Sequence, residues 1–400
     1  MTNKPSATAP RQIAVIGAGM AGIACARTLV QAGHNVSVFD KSRSAGGRMS
    51  TRSTSFGTFD HGAQYFTVRD PRFALALETA KGVCKPWSAN SVRVLDTFGR
   101  VALAALPSRD PHWVPVPGMN ALVKHWAKPL AEDGRLELET QVTRIERDPM
   151  NKKQWQLRTT GMPGAADAQH VFSGFDAVVL AMPNPQTVDL LQNSAQGARL
   201  VRDIHPVQVA PCWTLMLAFP QAMQPTMAHL GPQWNAARSN HHRIAWLARE
   251  SSKPGRGSIE RWTVQASAAW SLEHLEDDAA RVQAKLLKAF AEVTGIRAEP
   301  AHAAVHRWRY AQTVQPLGRS HLWDDKSGIG ACGDWCIGHR VEDAFISGLE
   351  MALAIAYKQL GPQLHWTVRA VPHGPAACGL FGCGPGQLAR CPGIGGYIGW

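Results

Sequence analysis

No apolar run in the 400-residue chain approaches the ~18 residues that a membrane-crossing helix requires, so a bilayer span is not expected. The stretch from Met1 to Arg11 is polar and rich in Pro, Ala and Thr. No apolar segment precedes the first strand-like run, so no secretory signal is expected and the cytoplasm is the expected location. The formal charge is +12, yet there is no run of five Lys/Arg and no basic helix with interleaved aromatics. A dispersed positive field of this kind suits small anionic ligands at least as well as nucleic acid, and no nucleic-acid partner is expected. The eight cysteines include no C-x-x-C pair and no Cys/His cluster of zinc-like spacing, so neither a disulfide framework nor a metal site is expected. They read as reduced, mostly buried thiols. No internal repeat is present.

What the chain does contain is core: 45% of its residues are apolar and 18% charged, and its length accommodates two domains. Gln12 to Ile16 is a short, nearly all-apolar run, as a buried parallel strand should be. Gly17-Ala18-Gly19-Met20-Ala21-Gly22 follows, then a helical stretch from Ile23 to Ala32 closed by Gly33. Asn35 to Phe39 is a second strand, ending in Asp40. Further on, Thr58 to Thr67 is a compact aromatic segment, Pro71 to Ala80 predicts a helix, and Val92 to Leu106 is strand-rich. Pro117-Gly118-Met119-Asn120 opens a helix, and Leu136 to Ile145, Trp155 to Thr160 and Ala177 to Ala181 predict strands. A long charged helix is expected from Leu272 to Thr294, flanked by strand-like Trp213 to Phe219 and Ile259 to Ala266. Ile329 to Cys332 reads as a strand and Val341 to Leu360 as a helix, its apolar residues keeping helical spacing. The Gly/Pro-rich tail after Pro362 contains no acidic residue, and poor order is expected there.

Strand, glycine turn, helix, strand and acid make one βαβ unit suited to a dinucleotide. Gly17 permits the tight turn, Gly19 lets backbone approach a pyrophosphate, and Gly22 lets helix and strand pack. The helix start at Met20 and Ala21 points N–H groups at the phosphates. Asp40, with Lys41 beside it, stands where an acid binds a ribose hydroxyl. Soon afterwards comes Gly46-Gly47-Arg48, which a simple NAD dehydrogenase does not need. A flavoprotein does, because the chain passes the same pyrophosphate again and Arg48 offers a planar cationic fork. Near the far end stand Gly333-Asp334 and Arg340-Val341-Glu342. An acid there can hold ribityl hydroxyls, and a helix start there can face the negative edge of a reduced flavin. Together these features predict FAD.

The same residues resemble the renalase group within the flavin amine-oxidase superfamily. The resemblance rests on Gly17-x-Gly-x-x-Gly, Gly46-Gly47-Arg48-Met49, and Gly62-Ala63-Gln64-Tyr65-Phe66-Thr67. It extends to Gly333-Asp334, Arg340-Val341-Glu342-x-Ala344-x-x-Ser347-Gly348, and the run His306-Arg307-Trp308-Arg309-Tyr310-Ala311. It spans roughly residues 12 to 358. It implies an α/β fold: a Rossmann-like FAD-binding domain of p-hydroxybenzoate-hydroxylase-like topology plus a mixed α+β substrate domain. The FAD-binding part is expected at 1–69, 115–183 and 325–360, the substrate part at 70–114 and 184–324, and a tail at 361–400. The resemblance implies a noncovalent FAD oxidase that takes hydride from misreduced 2- or 6-dihydro NAD(P) to flavin N5, with oxygen regenerating the flavin and yielding hydrogen peroxide. Amine oxidation by the same hydride logic is the alternative, and a flavin-binding redox partner without its own turnover is a third.

A dihydropyridine pushes hydride out as it gains aromaticity, so no general base, metal or nucleophile is required, and no catalytic residue is assigned. Catalysis reduces to placement. Tyr65, Trp308, Tyr310 and Trp335 are the candidate aromatic wall, although Tyr65 and Trp308 fit plain packing equally well. Arg309, with Arg307 and Arg52, can meet substrate phosphates or simply be solvated. Ala63, Gln64 and Tyr65 follow the cofactor motif, and Val142 matches the strand whose backbone meets adenine in the superfamily. Ala181-Met182-Pro183 fits its returning strand, with no contact assigned. His61, His241 and His242 read as turn or surface histidines.

Overall fold

The computed structural model describes residues 10–88, 92–103, 110–161, 169–223, 232 and 234–357. The expected tail lies outside the described residues, as do the last residues of the expected Val341–Leu360 helix. A six-stranded sheet runs in the order Leu322–Asp324, Ile329–Ala331, Ala177–Leu180, Gln12–Ile16, Asn35–Phe39, Leu136–Glu137. All neighbours are parallel except the first pair. The apolar runs of the sequence occupy its middle, where Ala177–Leu180 is buried at every residue. A strand covered on both faces has no polar side to show, hence the absence of alternation.

The glycine-turn helix, Met20–Gln31, begins three residues earlier than expected. Its first turn follows directly from Gly19, so the turn and helix share their backbone groups. The final helix, Val341–Ala356, packs on it so closely that a Cβ at Gly348 would lie 2.0 Å from the Ala21 carbonyl oxygen. The predicted strand Leu136–Ile145 divides. Leu136–Glu137 closes the six-stranded sheet, Glu139 turns the chain with φ of 54°, and Gln141–Arg147 enters a separate three-stranded antiparallel sheet.

A seven-stranded sheet runs His302–Gln315, Gln208–Phe219, Glu260–Ala266, Ile244–Arg249, Ala236–Ser239, Arg93–Leu95, Val101–Leu103. It packs on the helix Ala279–Thr294 through Val282, Leu286 and Phe290. That helix is not continuous back to Leu272. A short helix, Ala268–Glu273, ends first, and Asp278 starts the second by accepting hydrogen bonds from Ala280 N (2.9 Å) and Arg281 N (3.2 Å). An Asp competes for backbone N–H groups wherever it can, which makes it a better helix start than a helix interior. Residues up to Ala356 belong to one compact unit that holds both large sheets. The strand Leu322–Asp324 joins the six-stranded sheet just ahead of residue 325, where the third cofactor piece was expected to begin. Among the described residues no helix is long and apolar enough to cross a membrane.

Candidate active site

The glycine turn is built by exclusion of side chains. Gly17 has φ of 114°, and a Cβ there would lie 2.6 Å from the Ala181 carbonyl oxygen. A Cβ at Gly22 would lie 1.8 Å from the Gly17 oxygen, so this position is closed to any side chain by helix–strand packing. Gly47 faces Gly19: a Cβ on Gly47 would come within 3.0 Å of the Gly19 Cα. The Gly46 N–H donates to the Ala18 carbonyl (3.0 Å), which fastens the second glycine pair onto the first turn. No side chain caps the helix that begins at Met20, and its first turn contains no acid. Bare N–H groups at a helix start between two facing glycines fit the pyrophosphate of a dinucleotide. Asp40 holds this cradle in shape, accepting from Ala18 N (2.6 Å) and Ser42 N (2.7 Å).

A cleft of about 950 Å³ extends from this cradle to the edge strand His302–Gln315. Gly17, Gly19, Met20, Ala21, Asp40, Lys41, Gly47, Arg48, Ala63, Val142, Gly333, Asp334, Arg340 and Val341 line it, as do Trp308, Arg309 and Tyr310. Residues up to 286 positions apart meet here. Arg48 donates through Nη1 to Asp334 Oδ2 (2.9 Å) and through Nη2 to Oδ1, a two-pronged pair, and also to the Ala311 carbonyl (3.1 Å). The sequence gives these two residues separate cofactor contacts; the fold joins them to each other.

Five expected site residues lie outside the cleft lining. Gly22 packs helix on strand. Tyr65 is buried in an aromatic cluster, its ring 4.0 Å from that of His112 and near Trp87 and Trp246. Trp335 is part of the six-stranded sheet's core and donates to the Met182 carbonyl (2.9 Å). Gln64 donates to the carbonyls of Asp60 and Gly62 and accepts from Lys253. Glu342 accepts from Arg69 N (2.6 Å) and Asp70 N (2.7 Å), anchoring the loop before the helix Pro71–Glu78. In the other four cases neighbours in three dimensions claim a side chain that the sequence assigned to the ligand. Arg52 also lies outside the lining, but its charge acts on His61 and His306.

Of the expected aromatic wall, Trp308 and Tyr310 line the cleft, and two histidines not assigned to it, His61 and His306, pack around Trp308. Trp308 donates from Nε1 to the His61 carbonyl (2.8 Å), and its ring stacks on the His61 imidazole at 5.4 Å and 25°. His306 stands edge-on to both rings, 4.7 Å from His61 and 4.5 Å from Trp308. His61 is 5% exposed and its Nε2 meets Ser50 Oγ at 3.0 Å. Burial, with the charges of His306 and Arg52, holds its pKa down to about 3. Burial and Arg52 hold His306 down to about 4. Both imidazoles are therefore neutral at pH 7. The available signal was alternation: positions 306 and 308 share one face of a strand. His241 and His242 pair with each other at 4.5 Å, and neither lines the cleft.

Beneath the wall lies a fully buried charge network that sequence reading also missed. Asp60 accepts from Arg256 Nη2 (2.7 Å), Lys253 Nζ (3.1 Å), Thr51 Oγ1 (2.8 Å) and Met119 N (2.8 Å). Lys253 also donates to Glu250 Oε1 (2.9 Å). Burial alone would raise the Asp60 pKa, but Lys253, Arg256 and these hydrogen bonds outweigh it and hold Asp60 below the usual carboxylate range. The network fixes the segment that carries His61 and Ala63 along the cleft.

Two family models match the chain. A "NAD(P)-binding Rossmann-like domain" covers residues 15–77, and "Flavin containing amine oxidoreductase" covers residues 95–356, well over half of the sequence. A 4,4'-diapophytoene desaturase of Staphylococcus haemolyticus is 42% identical over 69 residues, 17% of this chain and 14% of that protein. The flavin-containing monooxygenase FMO GS-OX-like 6 of Arabidopsis thaliana is 26% identical over 192 residues, 45% of this chain and 36% of that one. The chain thus spans well under two thirds of either curated relative. Among solved structures, cyclohexylamine oxidase of Brevibacterium oxydans IH-35A superposes with a TM-score of 0.65 at 14% identity, covering 87% of this chain and 99% of that one. Putrescine oxidase bound to putrescine gives 0.59 at 13% identity, covering 86% and 99%. Identities this low show the shared fold. The glycine cradle, the two joined sheets and the match over residues 95–356 carry one conclusion: the chain belongs to the flavin-containing amine oxidoreductase family, whose members are FAD-dependent oxidoreductases.

Proposed function

We propose that the protein is an FAD-dependent oxidase that takes hydride from an anionic dihydronicotinamide, of the renalase type that accepts misreduced 2- or 6-dihydro NAD(P). The observation that carries this reading is a local excess of cation on the cleft wall: Arg307 and Arg309 share one carboxylate, Glu276. Two guanidinium groups on a single anion favour a phosphate-bearing substrate over an ammonium ion. FAD, held without a covalent bond, supplies the two-electron acceptor. Gly17, Gly19, Met20 and Ala21 take its pyrophosphate, Asp40 and Lys41 its ribose side, and Arg48 with Asp334 the stretch between.

The rest of the work is placement. Trp308, with the neutral imidazole of His61 stacked on it and that of His306 edge-on to both, offers an uncharged aromatic surface for a nicotinamide ring. Loss of hydride from a dihydropyridine leaves an aromatic pyridinium, so no residue has to remove a proton from the substrate. The cofactor part is drawn from the six-stranded sheet and the substrate part from the seven-stranded one, so a substrate enters where the two meet.

Amine oxidation is the second reading, favoured by the family. Anaerobic mixing separates the two. The holoprotein's ~450 nm flavin band should bleach with 2- or 6-dihydronicotinamide dinucleotides. Readmitted air should then restore it, with hydrogen peroxide formed. Bleaching by primary or secondary amines alone would establish the second reading, and bleaching by neither would leave a flavin-binding redox partner.

A further inference from the structure

Where the expected long helix breaks, residues 274–278 form a loop that is tied down on several sides. Trp213 Nε1 donates to the His274 carbonyl (3.0 Å), Lys285 Nζ donates to Asp277 (3.3 Å), and Asp278 caps the next helix. Glu276, between them, points outward with its side chain 66% exposed, and it meets two arginines of the cleft wall. Arg309 donates from both Nη atoms to the two carboxylate oxygens, the second at 2.9 Å. Arg307 Nη1 donates to Glu276 Oε2 (3.0 Å) and to the Leu275 carbonyl (2.7 Å), with its guanidinium 5.6 Å from the centre of the Trp213 ring.

We propose that Arg307 and Arg309 form a diphosphate-binding subsite at the mouth of the cleft, with Glu276 as a built-in carboxylate that the ligand displaces. Two guanidinium forks converge on one anion, and one carboxylate leaves a net positive charge unbalanced. A diphosphate carries more charge and more acceptor oxygens than a carboxylate, so it matches the two forks better. Arg307 is already fixed by the Leu275 carbonyl, so little side-chain freedom is lost when a ligand replaces Glu276. The strand that carries both arginines is the edge of its sheet, and Trp308 stands between them in sequence. Neighbours along a strand point to opposite faces, so Arg307 and Arg309 project away from the Trp308 ring, and the edge position of the strand lets residues of both faces line the cleft. The identity of the whole substrate rests on the function proposed above, but the binding of a diphosphate does not.

The test uses FAD-saturated protein titrated with inorganic pyrophosphate in a calorimeter, with the flavin spectrum recorded before and after to show that the cofactor stays bound. Arg309→Ala should weaken pyrophosphate binding about tenfold or more, the loss expected for charge-assisted bonds. Glu276→Gln, which removes the competing charge, should tighten it several-fold. Failure of the wild-type protein to bind pyrophosphate, equal binding by Arg309→Ala and wild type, or weaker binding by Glu276→Gln would each overturn the subsite. Pyrophosphate binding that behaves as expected, in a protein whose flavin no dihydronicotinamide bleaches, leaves the subsite standing and removes the function proposed above.

Discussion

The cleft has two walls of different construction. At residues 17–22 and 46–48 the wall is backbone: facing glycines, bare helix N–H groups and one acid that ties the turn together. At residues 61 and 306–310 it is side chain, with rings brought together from segments some 250 positions apart and fixed from below by buried charge. A backbone wall tolerates almost no change at its glycines, because the space a Cβ would take is the ligand's or the neighbouring strand's. A side-chain wall can be altered residue by residue, and so it is the wall on which specificity can vary.

The sharpest way to break this contrast is Gly19→Val. A Cβ at Gly19 sits 3.8 Å from Gly47 Cα, so the valine fits the protein but fills the gap meant for the cofactor. The variant should fold with near-native circular dichroism and purify colourless. Retention of stoichiometric flavin would refute the backbone account of that wall. Lys253→Met attacks the support of the other wall. It leaves Asp60 and Glu250 short of a buried cation, and removing one partner from such a network costs about 3–5 kcal/mol. Urea unfolding should record that loss; a change below about 1 kcal/mol would mean the network relaxes easily.

The smallest effect is a dependence on pH. His61 titrates near pH 3 in the folded protein and near its ordinary 6.5 in the unfolded chain. Between those values the unfolded chain binds the extra proton, so stability falls as pH falls below 6.5 and the group contributes nothing above it. From pH 6.5 to 5 the loss is on the order of 2 kcal/mol for this group alone. His61→Gln should flatten that slope in unfolding measurements; an unchanged slope would mean that the imidazole is not buried neutral. His306 acts in the same direction over a shorter range.

Legibility in the sequence follows the same division. The glycines, Asp40 and the all-apolar strands could be read because each acts through neighbours within a few dozen residues and each has a narrow set of tolerated residues. The helix break at residues 274–278 was hidden by a composition that suits a helix throughout, and only the Asp278 cap betrays it. Tyr65 was open between ligand contact and packing and Trp335 was a candidate for the substrate wall on residue type; both rings are buried in packed clusters. His61 looked like a turn residue beside Asp60, because nothing near it in sequence announces His306 and Trp308. Lys253 and Arg256 lie in a Gly/Pro turn of ordinary appearance, and their role exists only because Asp60 is buried against them.

The order of residues was enough to determine the dinucleotide cradle and the parallel core, since these depend on local backbone conformation and on the periodicity of apolar residues. The tertiary structure alone decided which rings face the cleft, which charges are buried and which carboxylate sits on Arg307 and Arg309. Those outcomes depend on burial and on contacts between distant segments, and no spacing along a chain encodes where a side chain loses its water.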